Sequence, residues 1–153
     1  MISLELTQEE ADRLFVLNKH TVNDSEQSFP VLQGGKVEVK LTSDDRKEDF
    51  LLDIYRGRID LRKITYQNRA RKVTILVRLD LSGSPHQNPN GEIVKCPHIH
   101  HYREGYGDKW ASPIPTDKFK TLDDIFATLD EFMDYCSIKT KPNIPASLFT
   151  NVT

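Results

Sequence analysis

The chain has 153 residues, 37% of them hydrophobic and 29% charged, with a formal net charge of −2. That is one domain's length with enough apolar content to bury a core, which excludes a disordered chain and a scaffold stapled by its two cysteines. No stretch reaches the roughly 20 apolar residues of a membrane helix, and no basic-then-apolar leader opens the chain, so a cytoplasmic protein with no membrane contact is expected.

Thr7-Gln8-Glu9-Glu10 is a capping box, and it opens a helix running to about Lys19 with Ala11, Leu14 and Phe15 on its buried stripe. Residues 20–36 are rich in Asn, Asp, Ser, Pro and Gly and read as loop, after which Val37 to Leu41 alternate at period two as a short edge strand. Residues 50–55 and 58–66 flank Arg56-Gly57, which reads as a two-residue hairpin turn. A second turn at 67–71 leads into a strand over 73–81. This register puts Phe50, Leu52, Ile54, Ile59, Leu61, Ile75, Val77 and Leu79 on one face. It also sets Arg58 opposite Asp80 and Arg78 opposite Asp60 as cross-strand ion pairs.

Residues 82–97 form a long connection with turn chemistry at Ser84-Pro85 and Asn88-Pro89-Asn90-Gly91. A short strand over 98–103 follows, then a turn over 104–108. The last element is a helix capped by Thr121, with Asp123 and Asp124 in its first turn. Leu122, Ile125, Phe126, Leu129, Phe132, Met133 and Cys136 recur at helical spacing as its buried stripe. Asp130, Glu131 and Asp134 lie on its acidic face, and the tail after Pro142 shows no periodicity.

Charge is unevenly spread. Residues 56–78 carry 8 basic side chains against 1 acidic, while the segments on either side are acidic. The expected register leaves Arg56, Arg62, Arg69, Arg71 and Lys72 unpaired, either as solvated sheet decoration or as a surface for an anionic partner.

The chemically densest segment is Cys96-Pro97-His98-Ile99-His100-His101-Tyr102-Arg103-Glu104, and four of the five histidines lie between His86 and His101. On a strand, His98 and His100 point the same way and His101 the other. Two imidazoles on one face form a candidate acid and base pair, since both titrate near neutral pH. The same residues have a structural reading, in which the imidazoles bond loop carbonyls and Cys96 is a small buried thiol. Cys96, His98 and His100 together are also a partial zinc set, but no second ligand pair stands at zinc-ribbon spacing. Gly91, His98, His100 and Glu104 resemble the first metal motif of cupin barrels, yet Ala111 stands where that motif has glycine and no second motif follows. Neither a metal nor a cofactor is therefore expected, with a metal-dependent enzyme as a third possibility that depends on stoichiometric metal in the purified protein. Tyr102, Tyr106 and Trp110 interleave with Arg103 and Lys109, a mixture that stacks bases and neutralises phosphates or simply closes one end of the core.

From Asp53 onward, the runs DIYRGRIDLRKITYQNRARKVTILVRLDLSG, NPNGE and CPHIHHYREGYGDKWASP, with the acidic C-terminal helix, resemble a family of small bacterial and phage proteins catalogued as a domain of unknown function. More loosely, a sheet meander, a histidine-rich strand and a closing helix are similar to TumE-type toxins of toxin–antitoxin pairs.

The expected fold is a single α+β domain over 1–153: a mainly antiparallel, twisted sheet of about five strands with an N-terminal and a C-terminal helix on one face. Within it, 1–49 hold a helix, loop and edge strand, 50–81 a three-stranded meander, 82–115 a long loop and the histidine strand, 116–138 the closing helix and 139–153 a tail. The expected function is a mobile-element or defence-associated protein acting on RNA or another single-stranded nucleic acid. His98 and His100 are its catalytic candidates, and Arg62, Arg69, Arg71, Lys72, Arg103 and Tyr106 its nucleic-acid contacts. The alternative is a non-enzymatic phage or mobile-element inhibitor, docking Asp130, Glu131 and Asp134 on a basic protein partner such as a nucleic-acid-binding host protein; an antitoxin is the protein partner of the toxin reading.

Overall fold

A computed structural model describes residues 5–22 and 34–149. Helix α1 (Gln8–Val16) begins where the cap chemistry places it, with the Thr7 hydroxyl accepting from the Glu10 amide. The Glu10 carboxylate accepts from Arg13 and Arg71 rather than reaching back to the cap. The helix stops at Val16, short of the expected Lys19, because Lys19–Thr21 pairs as strand β1. Of the loop expected over 20–36, both ends are thus strand, and residues 23–33 lie outside the described residues.

The next strands are β2 (Gly35–Ser43), β3 (Asp49–Arg56), β4 (Ile64–Ala70) and β5 (Thr74–Asp80). After them come β6 (His86–Gln87), β7 (Ile93–Val94), β8 (His98–His101), β9 (Ala111–Pro113), helix α2 (Ile125–Tyr135), β10 (Ile138–Thr140) and a 3-10 turn at Ala146–Phe149. The main sheet has eight strands in the order β10-β1-β2-β3-β4-β5-β8-β9, and β6 and β7 form a separate small ribbon. The α+β class holds, but the sheet is larger than the five strands expected, and it is mixed because β1 and β10 run parallel. The additional strands β1, β9 and β10 have three residues each, too few to show an alternation in the sequence.

One face of the sheet is the core. Val39, Leu41, Phe50, Leu52, Ile54, Tyr66, Val77, Leu79 and Ile99 pack there against Leu14 of α1 and Leu129, Phe132 and Met133 of α2. Tyr66 is fully buried yet satisfied, since its hydroxyl donates to the Ile125 carbonyl. The tail joins this core through Ile144, Leu148 and Phe149.

The register of the central strands corrects the sequence reading. Arg56-Gly57 is not a two-residue turn: residues 57–63 form a loop, held by bonds from the Gly57 amide to the Lys63 carbonyl and from the Lys63 amide to the Asp60 carbonyl. Glycine is required at 57, because a Cβ there would meet the Asp60 carbonyl oxygen at 2.5 Å. Ile54 consequently pairs with Tyr66 and Tyr66 with Leu79, while Ile59 is fully exposed at the loop and Leu61 and Ile75 are only partly buried. The supposed turn over 67–71 is mostly strand β4, with polar residues inside the sheet; the Nδ2 of buried Asn68 donates to the Leu51 carbonyl, while its Oδ1 has no partner among the described residues.

The ion pairs shift with the register. Asp60 pairs locally with Arg62, and Arg78 pairs with Asp80 and Asp108. At α2 the cap is Asp124, which accepts from the Phe126 and Ala127 amides, whereas the Thr121 hydroxyl bonds Glu131. Phe126, expected on the buried stripe, is 38% exposed.

Candidate functional site: a histidine–aspartate cluster on the outer sheet face

The face of the sheet opposite the core is unusually polar, and the register lines its residues up in two rows. One row runs Glu38, Asp53, Gln67, Arg78, His100 and Ala111 across β2, β3, β4, β5, β8 and β9. The other runs Lys36, Tyr55, Thr65, Asp80, His98 and Pro113. Successive residues of a strand alternate faces, so His98 and His100 project together onto the polar side while Ile99 enters the core. His101 turns to the helix side, where it meets the Tyr135 hydroxyl at 2.8 Å and the Phe15 ring edge-on.

At one end of these rows, Asp80 gathers its neighbours. Its Oδ2 lies 3.0 Å from Nε2 of His98 and 3.2 Å from Nε2 of His100, and its Oδ1 accepts from the Thr65 hydroxyl at 2.7 Å. Burial opposes its charge, but the adjoining His100 ring, the Arg78 guanidinium and the Thr65 hydroxyl outweigh burial, holding the carboxyl far below the usual carboxylate range. Arg78 in turn bonds Asp108 at 2.7 Å and places Nη2 3.1 Å from His100 Nε2. His100 Nδ1 faces the Asp108 carbonyl at 2.8 Å; a carbonyl only accepts, so that nitrogen carries a proton. His98 Nδ1 lies 3.5 Å from the Cys96 sulfur, which itself approaches the Ser84 carbonyl. Burial, and then the charge of Asp80, push the Cys96 thiol up, so the sulfur stays protonated.

The cluster opens into a cleft of about 270 Å³ walled by His98, Asp80 and Cys96 on one side and by Lys63, Arg78 and the 82–85 turn elsewhere. His98 is 2% exposed and lines this cleft, whereas His100 is completely enclosed. His86 also lines it, with its ring centroid 6.0 Å from that of His98 and its Nε2 bonded to the Lys109 carbonyl. The 104–110 turn therefore roofs the cluster with two backbone carbonyls.

The structure thus joins the two catalytic candidates and adds residues the sequence reading did not select: Asp80, Thr65, Arg78 and His86. The sequence pattern pairs Asp80 with Arg58, a register the structure replaces with Asp80 beside Thr65 and His98. The alternation Arg78-Leu79-Asp80, polar on the outer face of a strand, is the signal that would have marked it.

The nucleic-acid candidates separate. Arg69 is tied to the fully buried Asp53 at 2.6 and 2.9 Å, and Gln67 donates to the same carboxylate. Arg71 bridges Glu10 and Glu48, and Arg56 is buried with its Nε donating to the Leu61 carbonyl. These three arginines are not the unpaired cations that the sequence predicts: the register carries Arg69 alongside Asp53 and Arg71 alongside Glu10 and Glu48, and Arg56 is taken up by the 57–63 loop. Arg62 is 89% exposed beside Asp60, and its carbonyl accepts from Ser82 at the cleft turn. Arg103 stacks on Trp110 at 4.1 Å, with Tyr106 packed edge-on to the same ring. Lys72 is exposed by the 70–74 turn and lines a separate groove beside Phe50 and Arg69. On α2, Lys141 clamps Asp130 and Asp134 at 2.7 Å each, and Glu131 accepts from the Lys120 and Thr121 amides, so much of the acidic face has internal partners.

Fold and site together define an α+β protein with a mixed sheet whose outer face carries a carboxylate–imidazole–guanidinium cluster in a cleft. Residues 6–138 match the model described as "Family of unknown function (DUF6978)", and the chain belongs to that family. No curated protein and no solved structure is matched by it. No helix among the described residues is long and apolar enough to cross a membrane.

Proposed function

We propose that the protein acts on RNA as a small toxin-like ribonuclease, and that the His98 cleft is where the phosphodiester is handled. A single observation carries this reading: Asp80 holds His98 at the wall of a cleft that also presents Lys63 and Arg78. An imidazole oriented by a carboxylate is a general base, and two cations in the same cleft suit a phosphate. In this reading His98 carries its proton on Nε2, donated to Asp80, and takes the 2′-hydroxyl proton on Nδ1. The 2′-oxygen attacks the phosphorus and the 5′-oxygen leaves with a proton from His86, the second imidazole of the cleft. Enclosed His100 holds Asp80 in place and does not touch the substrate. The loose likeness of the layout to TumE-type toxins agrees with this reading.

The test is incubation of the protein with labelled single-stranded RNA and with DNA of the same sequence, with and without chelator. Cleavage of RNA alone, surviving chelator and lost in His98→Ala, is the expected result. If neither RNA nor DNA is cut or retarded at low salt, where phosphate contacts are strongest, the reading fails.

A further inference from the structure

We propose that Asp80, His98 and His100 form a site for one divalent transition-metal ion, bound through Oδ2 of the aspartate and Nε2 of each histidine. The proposal does not rest on the RNA reading. Its first support is convergence: the three ligand atoms lie within 4.8 Å of one another, and the two oxygen–nitrogen separations are 3.0 and 3.2 Å. Donors about 2.0–2.2 Å from a common ion at tetrahedral or right angles stand roughly 3.0–3.4 Å apart, so the two oxygen–nitrogen separations suit one coordination sphere, and the two ring nitrogens, within 4.8 Å of each other, would draw together on the ion.

The second support is that each side chain has an outer partner fixing its far atom. Thr65 donates to Oδ1 of Asp80, leaving Oδ2 for the ion. The Asp108 carbonyl takes the Nδ1 proton of His100, which turns the lone pair of Nε2 toward Oδ2 of Asp80. Nε2 and Oδ2, 3.2 Å apart, both face the Arg78 guanidinium, the position an ion would take over. For His98, the Cys96 sulfur lies 3.5 Å from Nδ1 as its outer partner, leaving Nε2 as a ligand. Metal-bound histidines and carboxylates are held in this way, with the other ring N–H on a carbonyl or similar acceptor.

The third support is Arg78. Its Nη2 lies 3.1 Å from His100 Nε2 and its Nε 3.3 Å from Asp80 Oδ2, yet Nε is enclosed and makes no hydrogen bond. The guanidinium supplies positive charge at this point without fitting it. When an ion enters, Arg78 keeps its bond to Asp108 and gives up its contacts with the ring and with Oδ2. Two imidazoles and one carboxylate suit zinc, cobalt, manganese or ferrous iron rather than calcium or magnesium, and the cleft leaves further positions open to ligands.

The two roles of His98 need opposite tautomers: as a base it keeps the proton on Nε2, and as a ligand on Nδ1. This separates the experiments. Untagged protein is titrated with zinc and with cobalt, followed by calorimetry and, for cobalt, by visible absorption. The expected result is one ion per chain with d–d bands but no thiolate charge-transfer band. His100→Ala and Asp80→Asn should each weaken binding by at least about 100-fold, and Thr65→Ala, which removes an outer partner, by about 10-fold. Arg78→Ala should tighten it, and Cys96→Ser should leave it nearly unchanged. Asp80→Asn and Thr65→Ala preserve most of the packing, so the test survives should His100→Ala not fold. No binding of either metal at about millimolar concentration overturns the site, as does full binding by Asp80→Asn or loss of binding in Cys96→Ser. Metal binding without RNA cleavage leaves the site standing and removes the ribonuclease reading; chelator-resistant cleavage without metal binding does the reverse.

Discussion

Oδ2 of Asp80 lies 3.0 Å from Nε2 of His98 across the β5–β8 ladder, so a carboxylate on one strand sets the orientation of an imidazole on its neighbour. Asp80→Asn keeps the shape and removes the charge. The expected result is an RNA-cleavage rate lower by about 10²–10⁴-fold, the range that general acid–base catalysis supplies. Stability should fall by about 1–3 kcal/mol, because partners of a buried group lose a charge-assisted bond. Initial rates and urea unfolding curves, measured on the same preparation, check the two effects separately.

Lys19 holds three elements together. Its ammonium donates to the carbonyls of Phe15, Leu17 and Cys136 and lies over the Phe50 ring, with the side chain fully enclosed. Lys19→Met removes the donor from three carbonyls, that of Cys136 buried and the other two part-buried, and should lose about 2–4 kcal/mol in urea unfolding at pH 7. Burial lowers the Lys19 pKa from 10.5 to about 8. Between those values the unfolded chain still holds a proton that the folded chain has released. Stability from this group therefore rises with pH across the window and is flat below it. The stability difference between wild type and Lys19→Met should widen between pH 8 and 10.5, by at most about 3 kcal/mol at 1.36 kcal/mol per unit. A difference that shrinks there would contradict the assignment.

Glu10 titrates at the acid end. Its bond from Arg13, helped by Arg71, lowers its pKa from 4.5 to about 2. A depressed carboxyl stabilises the folded state above its unfolded pKa and loses that contribution as pH falls through the folded one. The difference in melting temperature between wild type and Glu10→Gln should be full above pH 4.5 and close by about pH 2. The exposed site keeps the effect small and sensitive to salt.

Two arginines that look equivalent in the sequence should part company. Arg69→Ala leaves the enclosed Asp53 without its bidentate partner and should cost about 3–5 kcal/mol. Arg62→Ala, at an exposed site, should change stability by less than about 0.5 kcal/mol. If RNA passes over the 57–63 loop to the cleft, Arg62→Ala should also lower the slope of log affinity against log salt by about one. Denaturation curves and filter binding across a salt series separate the pair.

Local patterns predicted local structure well. The Thr7 cap, the alternation of Val37 to Leu41, the apolar faces of β3 and β5 and the helical recurrence of Leu129, Phe132 and Met133 all correspond to the observed elements. Each depends on residues a few positions apart, whose spacing decides which side of a helix or strand is apolar. The pairing of β3 with β4 was not legible. Gly57 fits a tight turn as well as a seven-residue loop, and the choice is made by bonds that close only when Lys63 returns beneath Gly57.

The site followed the same division. The chain places His98 and His100 on one strand face with the alternation of any strand, and their closeness could be read directly. Asp80 stands 18 residues before His98, and nothing local ties the two together. Strand β8 docks along β5 because Val77, Leu79 and Ile99 share a core, and that burial sets the register that brings carboxylate to imidazole. The same long-range pairing encloses His100, ties Arg69 and Arg71 to acidic residues and leaves Arg62 outside. Residue types and their periodicity thus supplied the candidate groups, and the apolar packing of the opposite sheet face selected which of them meet.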